Sequence, residues 1–180
     1  MISMKGDFFM QPIAKLVTRE SPRQILAEDF NSIGELPIRG GWGYSMEDAC
    51  VIDKNDPVVP AGVPFDVVGV EYAFVEKRIY EEMIIFREEG QKFSGIKWSL
   101  LRQRLIYGAY DVLEFEITAF PESEWDALQK EWEGPNGIRD PSFNIEAHLS
   151  RREASKVRIT SEFWFEIAST MSADARPEEK

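Results

Sequence analysis

The chain of 180 residues contains one cysteine and one histidine. One Cys excludes a disulfide framework, and Cys50 with His148 cannot build a zinc site from two ligands. No run approaches the roughly 18 apolar residues that span a bilayer. Met1 to Val17 lacks a basic start followed by an apolar stretch, and Asp7 and Pro12 interrupt it, so it does not read as a signal peptide. A chain with no membrane segment, in the cytoplasm, is the expectation. Basic residues are also scarce, 21 Lys and Arg against 32 Asp and Glu, giving a net charge of −11. Such a surface repels a phosphate backbone, so nucleic acid is not the expected partner.

What is present is a globular mixture. Hydrophobic residues are 43% of the chain and include 12 Phe and 5 Trp, enough bulk for a sizeable core. The length suits one domain, assigned to residues 1–169, with a polar tail over 170–180. Ser21, Pro22 and Gln24 spell a capping box at the start of a helix, whose apolar face would carry Ile25, Leu26, Phe30 and Ile33. Asp48 to Asp53 suggests a short strand. Val67, Val68, Val70 and Tyr72 suggest another, followed by a helix with Val75, Ile79, Met83 and Phe86 in its stripe.

The second half alternates more clearly. The runs 96–106 and 112–120 form strands joined by a turn over Tyr107 to Asp111. A helix beginning at Ser123 presents Trp125, Leu128 and Trp132 to the core, and a shorter one follows Asn144. The final strand sorts Val157, Ile159, Phe163 and Phe165 to one face and Arg158, Thr160, Glu162, Trp164 and Glu166 to the other. The fold class is therefore α+β: one largely antiparallel sheet packed on one face by two to four helices.

Catalytic signatures are few. Gly43-Tyr44-Ser45-Met46-Glu47 is half of a nucleophile elbow, with Glu47 where the second Gly belongs. A Cys50–His148 dyad would use the one such pair available, but Cys50 lies in an apolar run and His148 reads as a surface helix residue. The loop Asp53 to Asp56 lacks the Gly and Glu of a calcium loop, whose positions hold Val58 and Pro64. A magnesium ion on strand carboxylates stays open. No cofactor or metal is expected.

Three groups of residues are candidates for binding. The loop with Arg39, Gly41, Trp42 and Tyr44 is the most unusual local sequence and could present backbone amides to a ligand. On the polar sheet face, Arg102, Arg104 and Trp164 would join Glu114, Glu116, Glu162 and Glu166 in a mixed platform. Arg151, Arg152, Lys156 and Arg158 form a basic cluster suited to an anion or an acidic partner. The leading expectation is a noncatalytic binding or regulatory module for a protein partner or a small polar ligand. The alternative is a hydrolase whose acid and base come from Glu114, Glu116, Glu162 and Glu166. An assembly role, including a homo-oligomer, is also left open.

Overall fold

The computed structural model describes residues 13–31 and 34–172. The readings made for residues 1–12, for Ile33 and for the tail beyond Ser172 lie outside the described residues. The α+β class holds: five strands form one sheet in the order β1-β2-β5-β4-β3, where β1 is Ile38–Gly40, β2 Cys50–Ile52, β3 Phe93–Ile106, β4 Tyr110–Pro121 and β5 Val157–Glu166. All neighbours are antiparallel except β2 and β5.

The hairpin from β3 to β4 closes through Tyr107 and Gly108, at φ 53° and 64°, with Ala109 N–H donating to the Ile106 carbonyl. Two consecutive positive φ values match the twist of the strands they join. β4 lies between β5 and β3 and reads as the alternation requires: Leu113, Phe115, Ile117 and Ala119 are buried on one face.

That face is covered by one long helix, α2, over Val67–Tyr80, continued by a π-helical turn over Glu81–Ile85. The strand expected at Val67 to Tyr72 is therefore helix. Asp66 accepts a hydrogen bond from Gly69 N–H at 2.9 Å and caps the first turn, and burial of the helix face outweighs the strand preference of three valines. Phe74 meets Phe165 edge-on at 5.5 Å, and Phe115 meets Phe163 at 5.6 Å. Such edge-to-face pairs suit the ring quadrupoles.

The same helix buries charge. Arg78 is fully buried, and its five N–H donors have five acceptors: Glu82 Oε1 at 3.0 Å, the carbonyls of Trp42, Gly43 and Glu162 at 2.9, 3.2 and 2.9 Å, and Ser161 Oγ at 2.7 Å. Its guanidinium lies 3.7 Å from the Phe163 ring centroid and 4.3 Å from that of Tyr44. Ser161 is the single polar residue on the inward side of β5 between Ile159 and Phe163, and this bond is why it is there.

Around this centre, α1 (Pro22–Asp29) starts with the expected capping box, and its Arg23 binds Asp56, Glu35 and the Ile38 carbonyl. α3 (Glu122–Glu133) begins directly after β4, with Pro121 as its cap residue and no side-chain bond, so Ser123 lies inside the helix and not at its cap. Trp125 turns back onto Phe120, 5.1 Å between rings, and onto Gly95, where a Cβ would sit 2.6 Å from the indole. α4 (Ile145–Ser155) is capped by Asn144 and packs on α3. His148 is buried there, its ring 5.1 Å from Trp132 and 5.6 Å from Phe143, which corrects its assignment to the surface. Ala168–Met171 form a last short helix, α5, tied to β2 by Ser169 Oγ–H donating to the Ile52 carbonyl.

The Arg78 network sets a stability test. Arg78→Leu leaves the buried Glu82 carboxylate without its cation, strands the Trp42 and Glu162 carbonyls, and is expected to cost about 3–5 kcal/mol in urea unfolding. Adding Glu82→Leu should recover part of that loss, and strictly additive losses would count against the buried pair.

Candidate functional site

The described sheet has an unequal seam. β5 runs ten residues, but its neighbour β2 pairs with it at Phe165 and Glu166 alone. Gly43 extends that cover by one position, its carbonyl accepting from Trp164 N–H at 2.8 Å. The N–H and C=O groups of the even-numbered residues of β5 thus point away from β4, as the Glu162 carbonyl bound to Arg78 also shows. By that alternation Arg158 and Thr160 turn both backbone groups, and Glu162 its N–H, toward the open side. Among the described residues these groups have no partner.

This open edge borders a cleft of about 870 Å³. Ile13, Phe93, Val157 and Ile159 give it apolar surface, and Tyr44, Glu82, Ser161 and Arg87 give it polar surface. Tyr44 O–H donates to Glu82 Oε1 at 2.6 Å and accepts from Leu16 N–H at 2.9 Å. Burial, then the neighbouring Glu82 charge, pushes the Tyr44 phenol above its ordinary range. Burial also lowers Arg78, with Glu82 opposing it. The π-helical turn, closed by Phe86 N–H donating to the Glu81 carbonyl, forms the helix end beside the cleft, and Arg87 Nε–H donates to the Glu82 carbonyl at 2.9 Å. Wide turns of this kind often occur at functional sites.

Of the residues expected at a site, Tyr44, Arg158 and Glu162 line this cleft. The rest of the glycine loop faces inward. Trp42 is 4% exposed and packs on Phe74, with its indole N–H donating to Thr18 Oγ1. The amides of Gly41, Gly43 and Tyr44 donate to the Ala49 carbonyl, the Asp48 carbonyl and the Asp48 carboxylate. Gly41 admits no side chain, because its Cβ would lie 2.0 Å from Asp48 Oδ1. The loop is therefore a structural clamp, not an amide cradle, and exposed Arg39 stands apart from the cleft on β1. Ser45 belongs to the same turn, accepting from Asp48 N–H, with no helix behind it to make a nucleophile elbow.

The polar face forms the platform that the alternation implies, and its charges satisfy one another. Glu114 and Glu162 are directly opposed across β4 and β5. Arg102 pairs with Glu114 at 2.5 Å, Arg104 pairs with Glu162, and the Trp164 indole N–H donates to the second Glu162 oxygen at 3.0 Å. Glu116 pairs with Arg158 at 3.4 Å, and Glu166 lies at the far end opposite Tyr110. The basic cluster is similarly engaged. Arg151 pairs with Glu131, Lys156 and Arg158 pair with Glu153, and Arg152 lies over the rings of Phe120 and Trp125.

Cys50 lies in the main core, its thiol pushed up by burial, and His148 belongs to the α3–α4 cluster, so the two form no dyad. Among the described residues no group of three or more His, Cys, Asp and Glu is placed to hold a metal, and no helix is long and apolar enough to cross a membrane. No protein-family model matches the chain, and no curated protein or solved structure matches it either.

Sequence reasoning missed the buried acids of α2. Glu71 is 1% exposed and faces Asp111, while Glu81 is fully buried near Asp29. Burial first, then the neighbouring carboxyl, raises each to about 8 from an ordinary 4.5. Asp111 is held from the other side by Gln103, whose Nε2–H donates to it at 2.6 Å. The one available signal was the position of Glu71 in register with Phe74, Val75 and Arg78 on the apolar stripe.

A folded state that raises an acid's pKa binds more protons than the unfolded chain. The associated stability is complete below about pH 4.5 and is lost as pH rises toward 8. Glu153, held down to about 2 by Lys156 and Arg158, acts oppositely but below that window. Thermal unfolding should therefore show a lower Tm at pH 8.5 than at pH 5.5. The double variant Glu71→Gln, Glu81→Gln should flatten that dependence, and an unchanged pH slope would refute this origin.

Proposed function

We propose that the protein is a noncatalytic binding module that captures an extended polypeptide segment by adding it as a strand to the open edge of β5. The observation that carries this reading is the row of main-chain groups at Arg158, Thr160 and Glu162 that have no partner among the described residues, beside a cleft of about 870 Å³. Unpaired strand edges are templates for another strand, and main-chain bonds to an edge supply affinity while adjoining pockets supply selectivity. Each such bond contributes about 1 kcal/mol net. Five residues of β5 span about 16 Å, room for five or six residues of a partner.

The outer edge of β3 is longer but less suited to this use. Register shifts interrupt β3 between Ser94 and Lys97 and again between Leu100 and Arg102, and it projects Lys97 and Arg102 into solvent. Bulges and charges are the usual devices against edge pairing. The β4–β5 register, by contrast, runs unbroken from Tyr110 to Ala119. Hydrolysis through paired glutamates is the second reading, and the direct opposition of Glu114 and Glu162 favours it. It has less support because Arg102 and Arg104 hold both carboxylates.

The substitution Thr160→Pro tests the binding reading. It removes an N–H on the open side and leaves the hydrogen bonds to β4 in place, a position where a strand tolerates proline. Random 12-residue peptides displayed on a surface would be selected on the wild-type protein. Selected peptides should bind the proline variant at least tenfold more weakly while its Tm stays near that of the wild type. They should also protect the Thr160 amide from hydrogen exchange. Peptides that bind both proteins equally would refute strand addition.

A further inference from the structure

Resting on that strand-addition reading, we infer that the captured segment is an acidic stretch of a partner protein, its carboxylates held by Lys15 and Arg87. The cleft is a basic place on an acidic molecule. Among the described residues four cationic side chains line it, Lys15, Arg87, Lys92 and Arg158, against two acidic ones, Glu82 and Glu162. Both acids are already engaged, Glu82 by Arg78 and Tyr44, Glu162 by Arg104 and the Trp164 indole. Two of the cations are engaged as well, Lys92 with Glu89 and Arg158 with Glu116 and Glu153.

Lys15 and Arg87 differ. Among the described residues neither has a carboxylate partner. Lys15 Nζ lies 5.4 Å from the Tyr44 ring centroid, and Arg87 rests over Phe93 at 5.2 Å while its Nε–H holds the Glu82 carbonyl. The Lys15 ammonium and the Arg87 guanidinium thus each face an aromatic ring, and among the described residues no carboxylate neutralises either. A chain of net charge −11 repels an acidic segment at long range, so selectivity must come from these local cations at short range. The apolar surface of Ile13, Phe93 and Ile159 adds a place for side chains of the opposite parity on the same strand.

Three synthetic peptides test the inference, sharing one β-prone backbone and carrying Glu, Gln or Lys at alternate positions. Titration calorimetry at low salt should find the Glu peptide at least tenfold tighter than the Gln peptide and the Lys peptide weakest. Added salt should erode the difference. Lys15→Glu, a change at an exposed side chain, should abolish the preference for Glu over Gln while Tm is retained. Equal binding of the Glu and Gln peptides, lost on Thr160→Pro, would overturn the acidic partner and leave strand capture standing. Failure of all three peptides to bind would overturn both. Sedimentation supplies the remaining discriminator: a dimer that Thr160→Pro dissociates would make a second copy of this chain the occupant and overturn the acidic partner.

Discussion

The Arg78 guanidinium holds together the parts of the molecule that have least else to hold them. Its five donors reach α2, β5 and the loop between β1 and β2, and the rings of Tyr44 and Phe163 close over its two faces. Burying a charge costs several kcal/mol unless every proton is matched, and here every proton is matched. A leucine at this place would fill the space but would give the loop no reason to stop where it does. Gly43 is placed against Trp164 by this side chain together with its own main-chain bonds to Trp164 and Asp48, and that placement sets the end of the covered part of the β5 edge.

Strand length is the second constraint. A parallel partner three residues long cannot cover a strand of ten, and the open seam results from that mismatch. The helix that ought to close the cleft ends beside it in a wide turn, with Glu82 directed inward toward Arg78 and Tyr44. The cleft therefore has a rigid wall of buried, mutually bonded polar groups and a second wall of backbone. Such a site is organised before anything enters it, which reduces the ordering that binding must impose.

Much of the fold was legible where one residue's type answers to one local rule. Ser21-Pro22-Gln24 announces α1, Asn144 announces α4, and the glutamates of β4 mark its wet face by strict alternation. The platform of Arg102, Arg104, Glu114, Glu162 and Trp164 assembled as that alternation implied. Legibility failed where the deciding partner was a backbone atom or a distant element. Val67, Val68 and Val70 look like strand because nothing local records the sheet that α2 covers. Arg78 looks like a solvated helix residue because three of its acceptors are carbonyls, which no residue type reveals. The glycine loop drew attention for its amides, yet Asp48 and Ala49 had already claimed them. The open edge was hidden for the same reason, since it depends on which strands become neighbours.

The π-helical turn after α2 carries a consequence for how this chain tolerates changes in length. In a regular helix, deleting one residue rotates everything beyond it by about 100° and withdraws it by 1.5 Å. Such a change within Val67–Tyr80 would take Arg78 away from Ser161 or Phe74 away from Phe165. Between Glu81 and Ile85 the ladder already holds one residue more than an α-turn needs. A single deletion there converts the wide turn to an ordinary one and leaves both flanks facing as before. Glu81–Ile85 is thus the one stretch of this helix where the number of residues and the direction of the side chains beyond it are free to vary separately.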